Sequence, residues 1–321
     1  MKKKRDLKTW ISAALFFALA GLLTWYVATH WAEITGLLTL NAETVLYLIG
    51  LGVVSAAING LYHLFILRTY GLKLTFVDWM GVTIVSNAIA FVMPLRGELA
   101  LAAGYYKRVN GLAYTKSVSV AAGNMVFGVS FSLLQIIAAM LCVGLIDGKW
   151  PPLIWGVAAV GALGIAAVIF VSLASESRLR RRVEKWALVR DVIAGFNALL
   201  RSKRLIWQLL LCMTASNVVR LLMVLLCFQA AGSPINLYEA LLYSSLVWLA
   251  SVIAVVPGNL GLKESIMGVA TVQMGVNFTV GVTASLLERV VTMVVYIGLG
   301  VLFAVPVWLR YANHKEAPPS R

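Results

Sequence analysis

The feature that most limits what this chain can fold into is a recurrence: run after run of about 20 residues rich in Leu, Ala, Val and Ile, with most charges held in the gaps between them. A hydrocarbon core about 30 Å thick needs roughly 20 apolar residues per helical crossing. Lipid offers the backbone no hydrogen-bonding partner, so a crossing segment must be helical or belong to a closed barrel. A barrel would show short segments of alternating polarity, and long unbroken runs are not that. Only 12% of the 321 residues are charged and 61% are apolar, against about 25% and about 45–50% in soluble domains. So few charges cannot clothe a water-facing surface. The class is an all-α integral membrane protein, a single polytopic domain over 1–321.

The net charge of +14 would point to nucleic acid in a soluble protein, so the placement of the charges decides its meaning. Lys2, Lys3, Lys4, Arg5 and Lys8 precede an apolar run over about 10–28, longer than the roughly 7–15 residues of a signal-peptide core. It reads as an uncleaved first helix. A segment with Glu33 and Glu43 but no Lys or Arg follows, then a second span over 44–67 that ends at Arg68 and Lys73. Further spans are expected over 117–146, 153–174, 205–230 and 280–305, the last ending at Arg310 and Lys315. Basic residues favour the cytoplasmic side, which gives six spans in the cytoplasmic membrane with both termini inside and no nucleic-acid partner. The richest basic run, 175–204, has apolar residues at roughly helical spacing. It fits an amphipathic helix on the anionic inner leaflet, and an ordinary charged loop equally well. Cys142, Cys212 and Cys227 lie within apolar runs, so no disulfide framework follows. His30, His63 and His314 are scattered, which argues against a histidine metal site; no cofactor or metal is implied.

Two apolar stretches are interrupted. Over 76–107 the run breaks at Pro94-Leu95-Arg96-Gly97-Glu98, and after 237 a second run breaks at Pro257-Gly258-Asn259-Leu260-Gly261-Leu262-Lys263-Glu264. Their arms are short for a full crossing, so each reads as a re-entrant helical hairpin. Gly97 and Gly261 are 164 positions apart, as are Gly111 and Gly275, Thr115 and Thr279, and Val118 and Val282. Asp78 and Glu239 occupy comparable places near the start of each unit. The pattern predicts two repeats, 44–146 and 205–305, entered from opposite sides by the charge assignment. Inverted repeats with broken helices recur in secondary transporters, with the site where the breaks meet near mid-membrane.

A charge inside the bilayer costs at least about 2.5–3.5 kcal/mol on insertion scales, so each needs a reason. The expected binding residues are Arg96 and Glu98 at the first break, Lys263 and Glu264 at the second, Arg220 in the fifth span, and Glu288 with Arg289 in the last. Arg96, Arg220, Lys263 and Arg289 would receive an anionic headgroup, since guanidinium matches phosphate geometry well. Glu98 and Glu264 would hold those cations or carry a coupled proton. The alternative is that these pairs only pin the hairpins against the spans. Asn59, Asn87, Asn124 and Gln135 read as hydrogen-bonding glue between helices, and Gly156, Gly161 and Gly164 as marks of close packing. His63 reads as an interface residue, and Trp10, Trp79, Trp150 and Trp308 as belt residues. A membrane enzyme would need clustered carboxylates or a His/Asp set, and no such cluster stands out.

The second break, followed by Gly275 and then Glu288-Arg289, resembles the transmembrane flippase-like domain of lysylphosphatidylglycerol synthases. Pro94, Arg96, Gly97 and Glu98 resemble that family's first-half motif. Asn259 and Lys263 stand where Gly and Arg are common in it, and Leu101 and Ala102 follow Glu98 where another basic residue is often found. Only a short polar tail follows Arg310 in place of the synthase domain. The resemblance therefore implies lipid translocation without lipid synthesis: an anionic phospholipid or lipid-linked intermediate flipped through a polar cavity. A non-transporting accessory protein, scaffolding an envelope-lipid or glycan enzyme through 175–204, is the alternative; a small-solute transporter is a third. Partners on these readings are membrane lipids, an envelope-lipid synthesis enzyme, or a second copy of the chain.

Overall fold

The computed structural model describes residues 40–91, 93, 97–173, 203–252 and 257–314, with isolated positions between 21 and 35. Most of the expected first span, Pro94 and Arg96 of the first break, and 175–202 of the basic segment lie outside the described residues.

Every regular element among the described residues is helical. In chain order they are α1 (Ala42–Arg68), α2 (Val82–Ala90, entered through a π-helical turn at Val77–Gly81), α3 (Gly97–Asn110), α4 (Tyr114–Asp147) and α5 (Pro152–Leu173). Then come α6 (Lys203–Ala230), α7 (Leu237–Val252), a 3₁₀ turn at Pro257–Asn259, α8 (Leu262–Gln273) and α9 (Phe278–Asn313). Four stretches are long and apolar enough to cross a membrane: Ala42–Arg68, Asn124–Asp147, Lys203–Ala230 and Phe278–Asn313. Val77–Ala90 and Pro152–Ala166 are shorter apolar helices. The helices begin and end where local chemistry predicts. Asn41 caps α1 by accepting from the Thr44 N–H at 2.7 Å, and Asn277 caps α9 by accepting from Thr279 at 2.9 Å. Gly148 stops α4 with a left-handed φ of 67°. α9 runs on through Pro306 to Asn313, past the expected end of the last span; Pro is tolerated in membrane helices where neighbours satisfy the freed groups.

One face of α9 carries Val290, Val294, Ile297, Val301, Val305 and Trp308, all exposed and three or four residues apart. Its other face buries Ala284, Glu288, Val291 and Val295 at the same spacing. An exposed apolar stripe of that length is what a lipid-facing helix presents. The largest core cluster joins α4, α6, α7, α8 and α9 around Met140, Phe228 and Tyr243, whose rings stack 5.0 Å apart in the Phe228–Tyr243 pair.

The packing has a cross-over pattern. α1 lies along α6, α2 packs on α9, and α7 packs on α4. The start of α2 and end of α3 are tied to the C-terminal end of α9: Arg310 Nε stands 2.9 Å from Asp78 Oδ1, and Arg108 Nε donates to the His314 carbonyl at 3.0 Å. The start of α7 and end of α8 are tied to the C-terminal end of α4: Tyr238 donates to Asp147 at 2.8 Å, and Lys149 Nζ to the Met274 carbonyl at 2.8 Å. Asp78 and Glu239 also match in detail. Each accepts from a backbone N–H three residues earlier, Thr75 and Asn236, at 2.8 Å.

Some expectations about packing residues change. Of the three α5 glycines, Gly161 alone meets a neighbour, where a Cβ would stand 2.7 Å from Leu133; Gly156 and Gly164 face open space. Small residues on a lipid-facing surface leave no packing signature that separates them from interface ones. Trp150 and Trp308 are exposed as belt residues should be, but Trp79 is half-buried against Gly60, where a Cβ would come within 3.2 Å of its ring.

Candidate functional site

The second break meets the end of α2. A Cβ on Gly258, which holds a left-handed φ of 58°, would stand 3.4 Å from Phe91 Cα at the end of α2. Around this junction α1 to α4 and α6 to α9 line a cavity of about 400 Å³, within the roughly 300–1,000 Å³ of small-molecule sites. Glu98, Arg220, Lys263, Glu288 and Arg289 all line it. The structure thus gathers residues spread over almost 200 positions of sequence. Glu264 sits immediately behind, buried and bonded to Arg289; Arg96 is outside the described residues.

These charges do not play equal parts. Arg289 is committed. Its Nε lies 2.5 Å from Glu264 Oε1 and its Nη2 3.1 Å from Oε2, while Nη1 and Nη2 donate to the carbonyls of Gly258 and Asn259 at 2.7 and 3.0 Å. Four donors of the guanidinium are therefore spent on holding the second break closed. Glu264 completes the clamp by accepting from the Gly261 N–H at 2.9 Å, the capping contact that starts α8. Arg220 and Lys263 differ: neither makes a hydrogen bond or close ion pair with another described residue. Their donors face the cavity. Both share the cavity wall with Glu288 and Arg289. Cations crowded together at low dielectric gain from an anionic oxygen ligand that both can reach.

Amide and hydroxyl groups fill the remaining wall. Tyr62 donates its hydroxyl to Asn124 Oδ1, Asn59 donates to Tyr296 at 3.4 Å, and Ser245 donates to Gln135 at 3.0 Å. These are the expected bonds between helices, and all of these side chains but Ser245 also face the cavity. Asn87 bonds within its own helix, to the Thr83 carbonyl at 2.8 Å. His63, read as an interface residue, lines the cavity instead. A signal for it was present: Ser55, Asn59, Tyr62 and His63 form one stripe at helical spacing inside an apolar span, as Ser216, Asn217 and Arg220 do on α6. Trp248 carried no such signal. Its ring lies over Gly128 of α4, where any Cβ would overlap it, so its place in the wall depends on a tertiary contact.

The profile of the lysylphosphatidylglycerol synthase TM region matches residues 10–300. The chain belongs to that family. The match spans both breaks and every cavity-lining residue named above. No curated protein and no solved structure matches the chain significantly.

Proposed function

We propose that the protein moves an anionic phospholipid or lipid-linked intermediate between the leaflets of the cytoplasmic membrane, its headgroup passing through the cavity while its tails stay in lipid. The observation that carries this reading is the pair Arg220 and Lys263, two cations inside an apolar bundle that face a cavity with no direct partner among the described residues. A buried charge left so exposed is costly, and a phosphate oxygen meets its need. Membership of a family named for a lipid-modifying enzyme's membrane region supports a lipid-related role. No bond is made or broken on this reading, so the protein is a transporter and not an enzyme.

The architecture that suits it is six spans and two re-entrant hairpins, α2–α3 and α7–α8, in an inverted repeat, with both termini cytoplasmic. Three features support the repeat. α1 to α4 and α6 to α9 follow in the same order, the long closing helices having 34 and 36 residues. The cross-over packing pairs each hairpin with the other half's long helix. The acidic caps Asp78 and Glu239 recur in the same role. Such a frame permits rocking of one half against the other around a fixed site.

The test is headgroup accessibility of fluorescent phosphatidylglycerol in proteoliposomes. Wild type should accelerate leaflet exchange over empty vesicles, and Arg220→Gln should lose that acceleration. Exchange equal to empty vesicles, across the anionic lipids offered, would favour the accessory role instead.

A further inference from the structure

The cavity wall holds more than an anion needs. Six carboxamides line it: Asn59, Asn87, Asn124, Gln135, Asn217 and Asn259. An amide offers two donors and two acceptor lone pairs, and the bonds these side chains make with described residues leave much of that capacity unspent. Asn217 makes no side-chain hydrogen bond with any described residue. Asn259 is the sharpest case. It holds a left-handed φ of 51°, among the described residues the one such angle outside glycine. The residue is 6% exposed, and its Oδ1 has no hydrogen-bond partner among the described residues. Buried polar atoms are nearly always satisfied, and an orphan on a strained backbone at a cavity wall marks a place for a ligand.

A carboxylate points the same way. Glu288 faces the cavity beside Arg220 and Lys263, and its carboxylate offers more than a counter-charge to them. A carboxylate does accept well from hydroxyl groups, two at a time when they are vicinal. Trp248 and Phe131 add flat apolar surface, on which the C–H face of a saturated ring packs without loss. Amides, carboxylates and aromatic faces around a pair of cations describe one chemistry.

We infer that the headgroup is a ring polyol, a sugar or cyclitol, joined through a phosphodiester to its lipid. This rests on the flippase reading and narrows its substrate class. Arg220 and Lys263 take the phosphodiester oxygens. Glu288 and the carboxamides of Asn217 and Asn259 take ring hydroxyls, and Trp248 carries the ring's apolar face.

Titration calorimetry in detergent, with dioctanoyl lipids, separates the two claims. Phosphatidylinositol and phosphatidylmethanol carry the same phosphodiester charge, but only the first has ring hydroxyls; phosphatidylethanolamine offers an amine instead. Phosphatidylinositol should bind at least about tenfold more tightly than phosphatidylmethanol, as a few extra hydrogen bonds give. Asn217→Leu and Asn259→Gly should erase that margin and leave phosphatidylmethanol binding alone; the glycine also relieves the left-handed backbone, so folding is safe. Equal binding of the two phosphodiesters, with both lost in Arg220→Gln, would overturn the polyol inference and keep the anion site. Tightest binding of phosphatidylethanolamine would overturn the polyol inference in favour of an amine. Failure of all three to bind would overturn the anion site and this inference together.

Discussion

Arg289 and Lys263 line one cavity and carry one charge each, yet their surroundings give them different tasks. Arg289 is bonded to Glu264 and to two carbonyls of the second break; Lys263 has no hydrogen-bond partner among the described residues. Removing one member of a buried, well-bonded pair costs about 3–5 kcal/mol, so Arg289→Ala should lower stability by about that much. Lys263→Ala strands no bonded partner and should change stability by under about 1 kcal/mol. Unfolding midpoints of the purified variants in detergent check this; equal losses would show that both residues are structural. The sequence made the charged residues visible because charge in an apolar span is rare. It did not separate clamp from site, because that division depends on which carbonyls the break turns toward the last helix. His63 and Trp248 were missed for two reasons: the first belonged to a polar stripe that was not traced along α1, the second to a contact with Gly128 on another helix.

At the level of helices, close approach depends on where a Cβ is missing. Gly281 lies where α9 starts beside α8, and a Cβ there would come within 2.8 Å of the Met267 carbonyl oxygen and 2.5 Å of Thr271 Oγ1. A helix carbonyl cannot step aside as a side chain does. Gly281→Ala should therefore destabilise the α8–α9 pair by about 1–3 kcal/mol. Gly156 faces open space, and Gly156→Ala should leave stability unchanged or raise it by up to about 1 kcal/mol through helix propensity. Opposite signs in thermal unfolding would bear out the packing; two losses of equal size would contradict it. Four long helices and both interruptions were legible from run length and from Pro-Gly clusters. The start of α9 lies within two residues of the expected 280, but its end does not match, since the helix continues beyond Pro306 to Asn313. The reason is that Pro disfavours a helix in water but is accommodated in a packed membrane bundle.

For the molecule as a whole, the central relation is that the α2–α3 pair is tied to the far end of α9 and the α7–α8 pair to the far end of α4. If the pairs enter from opposite sides of the membrane, Lys73 and Pro234, each just before a hairpin, face opposite compartments. In a background without Cys142, Cys212 and Cys227, Pro234→Cys should react with an impermeant maleimide in intact cells. Lys73→Cys should react only after permeabilisation; labelling of both from one side would contradict the inversion. The expectation of opposite entry comes from the charge of the loops, since acidic and basic gaps sort by side, and the labelling tests it. What charge could not convey was that the second break touches the end of α2, because Gly258 meets Phe91 only once both halves fold together. The account stands or falls on whether the cations at that junction carry a headgroup. The most direct measurement is the leaflet-exchange rate of labelled phosphatidylglycerol in proteoliposomes reconstituted with wild type, Lys263→Arg and Lys263→Gln at matched folded protein. Loss of a charge-assisted contact is worth about 1.5–3 kcal/mol, or roughly tenfold to a hundredfold in rate. Exchange should be kept by the arginine variant and reduced at least about tenfold by the glutamine variant. Exchange by Lys263→Gln at the wild-type rate would contradict that role of the cations.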